Sequence, residues 1–172
     1  PDRRVTVASI SPVIQSLQSH AFNDLLWPDF TNIPSGAAPV LGFRTLAEGT
    51  EARVGGLWVT AVPVEHTVPT TGFLIHDGET GFVYSGDTGP TERLWRMARE
   101  MRGLKAIIVE TAFPNRLAAL ARVSGHLTPE MLQPMLRLDA EVSAGDLTIE
   151  RVQELARLQQ TGMSNPPVQL CL

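Results

Sequence analysis

Short apolar runs bounded by turn residues dominate the middle of the chain and predict a β-sheet. The clearest run covers residues 57–64, where Pro63 favours an edge position or a bulge near the end of the strand. Residues 72–76 and 81–84 form two further runs, and the Asp-Gly pair between them is typical of a hairpin turn. A continuous apolar run within residues 104–109 predicts a fourth strand that is buried on both faces.

Helical spacing of apolar residues follows two of these runs. Residues 91–102 predict a helix that ends at Gly103, because four apolar residues recur on one face. A second helix is predicted over residues 128–138, where a threonine cap precedes a proline and Pro134 should kink or shorten it. The apolar positions of residues 149–156 predict an amphipathic helix, and residues 164–167 are expected to fray.

Titratable residues occur where the apolar strands or loops end. His66 follows the first strand, Asp87 follows the third, Glu110 follows the fourth, and His126 lies in the loop before the second helix. If the strands lie side by side, these ends converge on one edge of the sheet, where ligands often bind in sheets flanked by helices. Imidazole and carboxylate groups are suitable ligands for zinc and related metals, although the spacing here is not diagnostic.

Each of these residues also has an ordinary structural interpretation. Asp87 could fix its turn or cap the following helix, and His66 could be a turn histidine. Glu110 could end a buried strand, and His126 could pack beside the helix that follows it. His76, next to Asp77-Gly78, is expected to lie on the surface of the hairpin.

Composition narrows the class of protein. The 172 residues suit one domain, and 43% hydrophobic with 19% charged residues is typical of a soluble globular protein. The net charge of −4 argues against general binding of nucleic acid, so a phosphate ligand would need positive charge from another source, such as a metal ion. The sequence shows neither a signal peptide nor a membrane-spanning run, which says little about targeting because the chain starts at Pro1 like a fragment. The expected compartment is the cytoplasm.

Several common catalytic motifs are absent. The sequence contains no Gly-x-Ser-x-Gly elbow, no phosphate-binding P-loop and no Gly-x-Gly-x-x-Gly. The single cysteine, Cys171, lies next to the last position and is a poor candidate for a nucleophile. Enzyme classes that depend on these motifs are therefore disfavoured.

Four segments occur in order along the chain: AVPVEHTVPT at 61–70, YSGDT at 84–88, VETAFP at 109–114 and SGHLTP at 124–129. Together they resemble the metallo-β-lactamase-fold phosphodiesterases, and most closely the class II cyclic-nucleotide phosphodiesterases. Residues 20–30 also resemble that branch. The resemblance implies an α/β fold, in particular a partial αββα sandwich consisting mainly of its C-terminal half. Residues 1–138 would form this partial domain, with 139–172 as an unmatched C-terminal helix and tail.

The resemblance also implies a site and its ligands. Two divalent metal ions, usually zinc, would bind at one edge of the sandwich, with His66 as a ligand to one metal and Asp87 as the carboxylate that bridges both. His126 would contact the substrate phosphate and assist the leaving group, and Glu110 would have a supporting role. The implied reaction is hydrolysis of a small-molecule cyclic nucleotide (cAMP) to the 5′-monophosphate, without a nucleic-acid or membrane partner.

The chain departs from the family pattern at two places. It contains no His-x-His-x-Asp-His loop, which in the family lies N-terminal to these segments, and no histidine after His126. The chain is therefore expected to be a fragment that begins after this loop and binds few or no metal ions alone. Half a sandwich would expose the inner face of its sheet, so poor solubility or association into a homo-oligomer is expected.

Two other functions remain open. The tRNA 3′-processing endonucleases share the order of these segments, although the acidic balance of the chain and the Trp-Pro-Asp-Phe segment at 27–30 favour a cyclic nucleotide. The chain could also be a truncated, non-catalytic domain that serves as an interaction module. Metal analysis and assays with the two substrates would separate the three possibilities.

Overall fold

The computed structural model describes residues 4–135, which form two sheets and four short α-helices. The strands are β1 (Val5–Ser9), β2 (Leu41–Thr45), β3 (Glu51–Val54), β4 (Leu57–Val64), β5 (Thr70–His76), β6 (Gly81–Tyr84) and β7 (Leu104–Ile108). The helices are α1 (Ser11–Ser16), α2 (Arg93–Glu100), α3 (Ala118–Ser124) and α4 (Pro129–Leu132), with a π-helical turn at Leu17–Ala21 and a 3₁₀ turn at Asn115–Leu117.

The main sheet contains five strands in the order β3-β4-β5-β6-β7. Its first four strands pair in antiparallel fashion, whereas β7 lies parallel to β6. The crossover between these two parallel strands contains α2, as a parallel connection requires. A separate sheet consists of β1 and β2, which are parallel.

The two faces of the main sheet are covered differently. On one face, α2 contributes Leu94, which is fully buried and lies against Gly72 of β5. A Cβ added at Gly72 would lie 2.9 Å from Leu94 Cδ2, so this glycine leaves the space that the leucine fills. On the other face, β4 contributes Val59 and Ala61 to a core cluster that includes Ile10, next to α1. The helix and the small sheet therefore hold the main sheet from opposite sides.

The predicted strands agree with the structure in position but not always in burial. The run at 104–109 forms β7, yet Ile108 remains 48% exposed, so the prediction of a strand buried on both faces is wrong. Helix α2 packs mainly against β4 and β5, and β7, the last strand of the sheet among residues 4–135, lies beyond this cover. Strand β3 was not predicted, because its sequence Glu-Ala-Arg-Val carries little apolar signal.

Proline and threonine act as their local chemistry predicts. Pro63 pairs with Thr71 of β5, while β3 ends its pairing with β4 at Thr60, so the proline has no strand on its other side. At the start of α4, the hydroxyl of Thr128 accepts a hydrogen bond from the Met131 amide at 3.3 Å. The helix ends at Leu132, before Pro134, which agrees with the expected shortening.

The remaining predictions fall on residues that are not described. The predicted helix at 149–156, the expected fraying at 164–167 and Cys171 all lie outside residues 4–135. The division of the chain into 1–138 and 139–172 therefore stays a prediction. No helix among the described residues has the length and apolar character needed to cross a membrane.

Candidate metal centre at the sheet edge

The topology brings three strand ends to one edge of the main sheet. Strands β4 and β6 are both antiparallel to β5, and β7 is parallel to β6, so β4, β6 and β7 run in one direction. Their carboxyl ends precede His66, Asp87 and Glu110, respectively. The conditional prediction that these ends converge on one edge is therefore confirmed, because the strands do lie side by side.

Three of the four candidate residues form a compact group of donor atoms. One oxygen of Asp87, one oxygen of Glu110 and one ring nitrogen of His126 all lie within 4.8 Å of one another. Asp87 is exposed, whereas Glu110 and His126 are half-buried. His126 comes from a different part of the chain, the loop after α3, and reaches the cluster because that loop lies against the strand ends.

Glu110 and Asp87 interact directly. A side-chain hydrogen bond with Asp87, partial burial and the negative charge of Asp87 together raise the pKa of Glu110 from 4.5 to about 7. A hydrogen bond between two carboxyl groups requires a proton on one of them, so the two side chains can share one proton. A cation that binds both carboxylates would have to displace this proton.

A buried turn holds the backbone of Asp87 while its side chain stays exposed. The amide of Ser85 donates to the carbonyl of Ile108 at 3.0 Å, which ties the turn to the end of β7. The buried Ser85 hydroxyl donates to the Gly86 carbonyl at 2.7 Å. Gly86 adopts φ +62°, and a Cβ there would lie 3.0 Å from the Thr71 carbonyl oxygen. Glycine is therefore required next to the carboxylate.

His66 lies beside the cluster rather than within it. The centroids of the His66 and His126 rings are 4.9 Å apart with an interplanar angle of 72°. The Nδ1 atom of His66 is 2.8 Å from the carbonyl oxygen of Gly125. His126 also contacts the Phe113 ring at a centroid distance of 5.7 Å, so its imidazole is held between two other rings.

The structure thus brings all four predicted residues to one region, with a different grouping. The sequence suggested His66 and Asp87 as metal ligands and Glu110 as a supporting residue, whereas the donor cluster contains Glu110 and His126 with Asp87. Gly125 was missed as a partner of His66, although its place before His126 in the Ser-Gly-His motif was a usable signal.

The other histidine interpretations can also be compared with the structure. His76 lies in β5, is partly exposed, and its Nε2 is 2.7 Å from Glu51 Oε1. This position agrees with a surface role on the hairpin. His20, in the π-helical turn, is exposed and is not part of the donor cluster.

The donor set fits a divalent cation. Two carboxylate oxygens and an imidazole nitrogen are ligands that zinc and manganese accept. Two adjacent carboxyl groups repel each other when both are ionised, and a bound cation removes this repulsion. Within residues 4–135 these three donors provide part of a coordination shell, so further ligands such as water or substrate oxygens are needed to complete it.

Comparison with known proteins gives the family. A model of the beta-lactamase superfamily domain matches residues 17–147. The chain belongs to this superfamily. The match includes every strand from β2 to β7 and all four candidate residues, so the sheet edge described above lies within the family domain.

Individual proteins that are similar to this chain carry narrower names than the superfamily. A probable 3′,5′-cyclic-nucleotide phosphodiesterase from Yersinia pestis is 30% identical over 153 residues, which cover 79% of this chain and 44% of that protein. The crystal structure of unliganded yeast PDE1 matches with a TM-score of 0.68 and 25% identity, covering 77% of this chain and 42% of that chain.

A third match defines the fold. The metallo-β-lactamase fold protein YhfI from Bacillus subtilis matches with a TM-score of 0.59 and 12% identity, over 80% of this chain and 49% of that chain. The predicted α/β fold, a partial metallo-β-lactamase-like sandwich, is therefore confirmed. The present chain spans less than half the length of each of these three proteins.

Proposed function

We propose that the chain contributes Asp87, Glu110 and His126 to a metal-dependent site that hydrolyses 3′,5′-cyclic nucleotides to 5′-monophosphates. The observation that carries this proposal is the cluster of two carboxylates and one imidazole within 4.8 Å at the sheet edge. The 30% identity to a probable 3′,5′-cyclic-nucleotide phosphodiesterase supports the substrate class. The chain covers 44% of that relative, so the proposal concerns a site to which this chain contributes.

The residues divide between holding metal and handling substrate. Asp87 and Glu110 of the cluster supply carboxylate oxygens, and the neighbouring His66 supplies an imidazole nitrogen. The imidazole of the cluster itself, that of His126, is thereby left for the substrate. This mixed set favours zinc, and the similarity of the Asp87 motif to a bridging carboxylate favours two ions. Bound ions of this kind neutralise phosphate charge and lower the pKa of water. Glu110 must release its proton before its carboxylate can bind a cation.

In this proposal, His126 acts on the substrate phosphate. Its ring contacts Phe113 on one side and His66 on the other, which restricts its rotation and presents the imidazole to the cluster. During hydrolysis, water adds to phosphorus and the bond from phosphorus to the 3′-oxygen breaks. His126 donates a proton to that oxygen as it leaves, a role that typically contributes about 10²–10⁴-fold to the rate. The preference for cAMP within the cyclic nucleotides rests on the family resemblance.

The alternative substrate is precursor tRNA. A tRNA is a large polyanion, and proteins that bind such ligands commonly use a basic surface. The net charge of −4 disfavours this partner, whereas a cyclic nucleotide carries a single phosphate charge. A non-catalytic module is the third function, which predicts neither metal binding nor hydrolysis.

The test measures hydrolysis and metal content together. This chain, and the complete reading frame that contains it, are loaded with zinc and incubated separately with cAMP and with a precursor tRNA. The proposal expects 5′-AMP from the complete frame, no tRNA cleavage, and loss of bound zinc in Asp87→Asn. Cleavage of the tRNA without cAMP hydrolysis would select the alternative. A zinc-free protein that is inactive on both substrates would identify a non-catalytic module.

A further inference from the structure

The hydrogen bond between His66 and Gly125 determines which ring nitrogen of His66 carries the proton. The Nδ1 atom lies 2.8 Å from the Gly125 carbonyl oxygen. A carbonyl oxygen has no proton and can only accept, so Nδ1 must be the donor. In the neutral imidazole, Nε2 then carries the free lone pair. The backbone of one loop therefore selects the tautomer of a histidine in another loop.

Gly125 can make this contact only because it has no side chain. Its φ is +70°, in the left-handed region that L-residues rarely adopt. A Cβ at this position would lie 3.0 Å from His66 Nδ1 and 3.0 Å from His66 Cα. It would also lie 3.1 Å from the Thr67 amide nitrogen. The atoms that a side chain would displace thus belong to His66 itself and to its neighbouring backbone.

A second glycine supports the same arrangement from the Asp87 loop. The amide of Gly89 donates to the Glu65 carbonyl at 2.6 Å, directly before His66 in the chain. A Cβ at Gly89 would lie 3.5 Å from that carbonyl oxygen and 3.5 Å from the Gly125 carbonyl carbon. Three loops that carry candidate site residues therefore meet through backbone contacts around His66.

We infer that Gly125 is a positioning residue that holds His66 as the Nδ1–H tautomer and presents its Nε2 lone pair as a ligand. The inference about the tautomer stands on geometry alone, and its use for metal binding rests on the proposed function. Hydrogen-bonding partners of metal-ligating histidines commonly fix the tautomer in this way, and their loss typically lowers metal affinity about 10–100-fold.

The first measurement needs no variant of Gly125. The chain contains four histidines, so side-chain nitrogen signals of the metal-free, ¹⁵N-histidine-labelled protein can be assigned with the help of His66→Gln. We expect His66 to show a protonated Nδ1 and an unprotonated Nε2 at a pH at which its ring is neutral. A His66 signal from the opposite tautomer, or from an averaged mixture of both, would overturn the inference.

The second measurement compares two glycine substitutions. Gly125→Ala introduces a Cβ against His66, whereas Gly55→Ala places one at φ +56° with no heavy atom within 4 Å. Both variants carry backbone strain of the left-handed region, so the difference between them reports the crowding of His66. We expect the His66 signals to shift toward a tautomer mixture in Gly125→Ala only, and zinc affinity to fall about 10–100-fold there.

The results of these measurements distinguish a failure of the positioning role of Gly125 from a failure of the proposed function. A folded Gly125→Ala variant with His66 signals and zinc affinity unchanged from the wild type would refute the positioning role. A wild-type Nδ1–H tautomer in a protein that binds no zinc would retain the tautomer and remove its proposed use. If Gly125→Ala fails to fold, the wild-type tautomer measurement still decides the inference.

Discussion

One carboxyl oxygen of Glu110 lies within 4.8 Å of one carboxyl oxygen of Asp87, at the ends of two neighbouring parallel strands. The two residues are far apart in the sequence and meet because β6 and β7 pair in register from Phe82 to Tyr84. Their side chains then approach at the same edge of the sheet. The negative charge of Asp87 next to Glu110 contributes to the raised pKa of Glu110, and a bound cation would relieve this repulsion.

Replacement of Glu110 by glutamine should flatten the pH dependence of stability. The folded-state pKa of Glu110 is raised from 4.5 to about 7, so its contribution is fully present below pH 4.5 and is lost as pH rises through about 7. The amide side chain of the Glu110→Gln variant does not titrate and can donate to Asp87 at every pH. Urea unfolding of the metal-free protein at pH 5 and pH 8 should show a smaller loss of stability for Glu110→Gln than for the wild type.

The matched control is Glu79→Gln, an exposed residue in the turn between β5 and β6. This variant should keep the wild-type pH dependence of stability.

Zinc binding, followed by calorimetry, should strengthen in the wild type as pH rises through about 7 and be weaker in Glu110→Gln at pH 8. Equal zinc affinity of wild type and Glu110→Gln at that pH would exclude Glu110 as a ligand.

His126 is expected to bind phosphate, whereas His76 is not. Charged hydrogen bonds contribute about 1.5–3 kcal/mol, so His126→Ala should weaken binding of 5′-AMP to the zinc-loaded protein by roughly 10–100-fold. His76→Ala removes an imidazole of the same size from a surface contact with Glu51 at 2.7 Å. Titration of each variant with 5′-AMP, monitored by NMR, distinguishes them, and equal losses would argue against a specific role for His126.

Leu94 should be a major source of stability for the sheet that carries the site. It is fully buried between α2 and the main sheet, so Leu94→Ala should cost about 2–5 kcal/mol of unfolding free energy. Val123 on α3 is 80% exposed, and Val123→Ala should change that free energy by less than about 0.5 kcal/mol. Chemical denaturation of the two variants provides the comparison. A cost below about 1 kcal/mol for Leu94→Ala would contradict the packing described above.

The inner face of the sheet should promote association between copies of the chain. A groove of about 400 Å³ on this face has apolar walls that include Leu57, Ile75, Phe82 and Ile108. Ile108→Lys places a charge in the groove and should lower the apparent mass at high protein concentration in sedimentation experiments. Val68→Lys, at another exposed apolar position, is the control. A wild-type chain that stays monomeric at all concentrations would refute the predicted self-association.

Some elements of the fold are predictable from local sequence patterns, and others depend on distant segments. Strand β4 and the α2 region were predictable, because apolar runs between glycines and apolar spacing along a helix are local signals. The cap of α4 was predictable from Thr128 and Pro129. The exposure of β7 was not, since an apolar run indicates a strand but does not state how many neighbours cover it. Strand β3 was missed because its pairing with β4 gives it an extended form that its own residues do not require.

The features of the candidate site likewise fall into those that the sequence determines and those that the tertiary structure decides. By itself the sequence determined the residue types at the strand ends, the order of motifs that indicates the superfamily, and the identity of Asp87, Glu110, His66 and His126 as candidates. Only the tertiary structure decided that Glu110, Asp87 and His126 come within 4.8 Å of one another, and that the Gly125 carbonyl lies 2.8 Å from His66 Nδ1. The physical reason is that strand order and loop approach are set by pairing and packing between distant segments, whereas sequence patterns report the preferences of neighbouring residues.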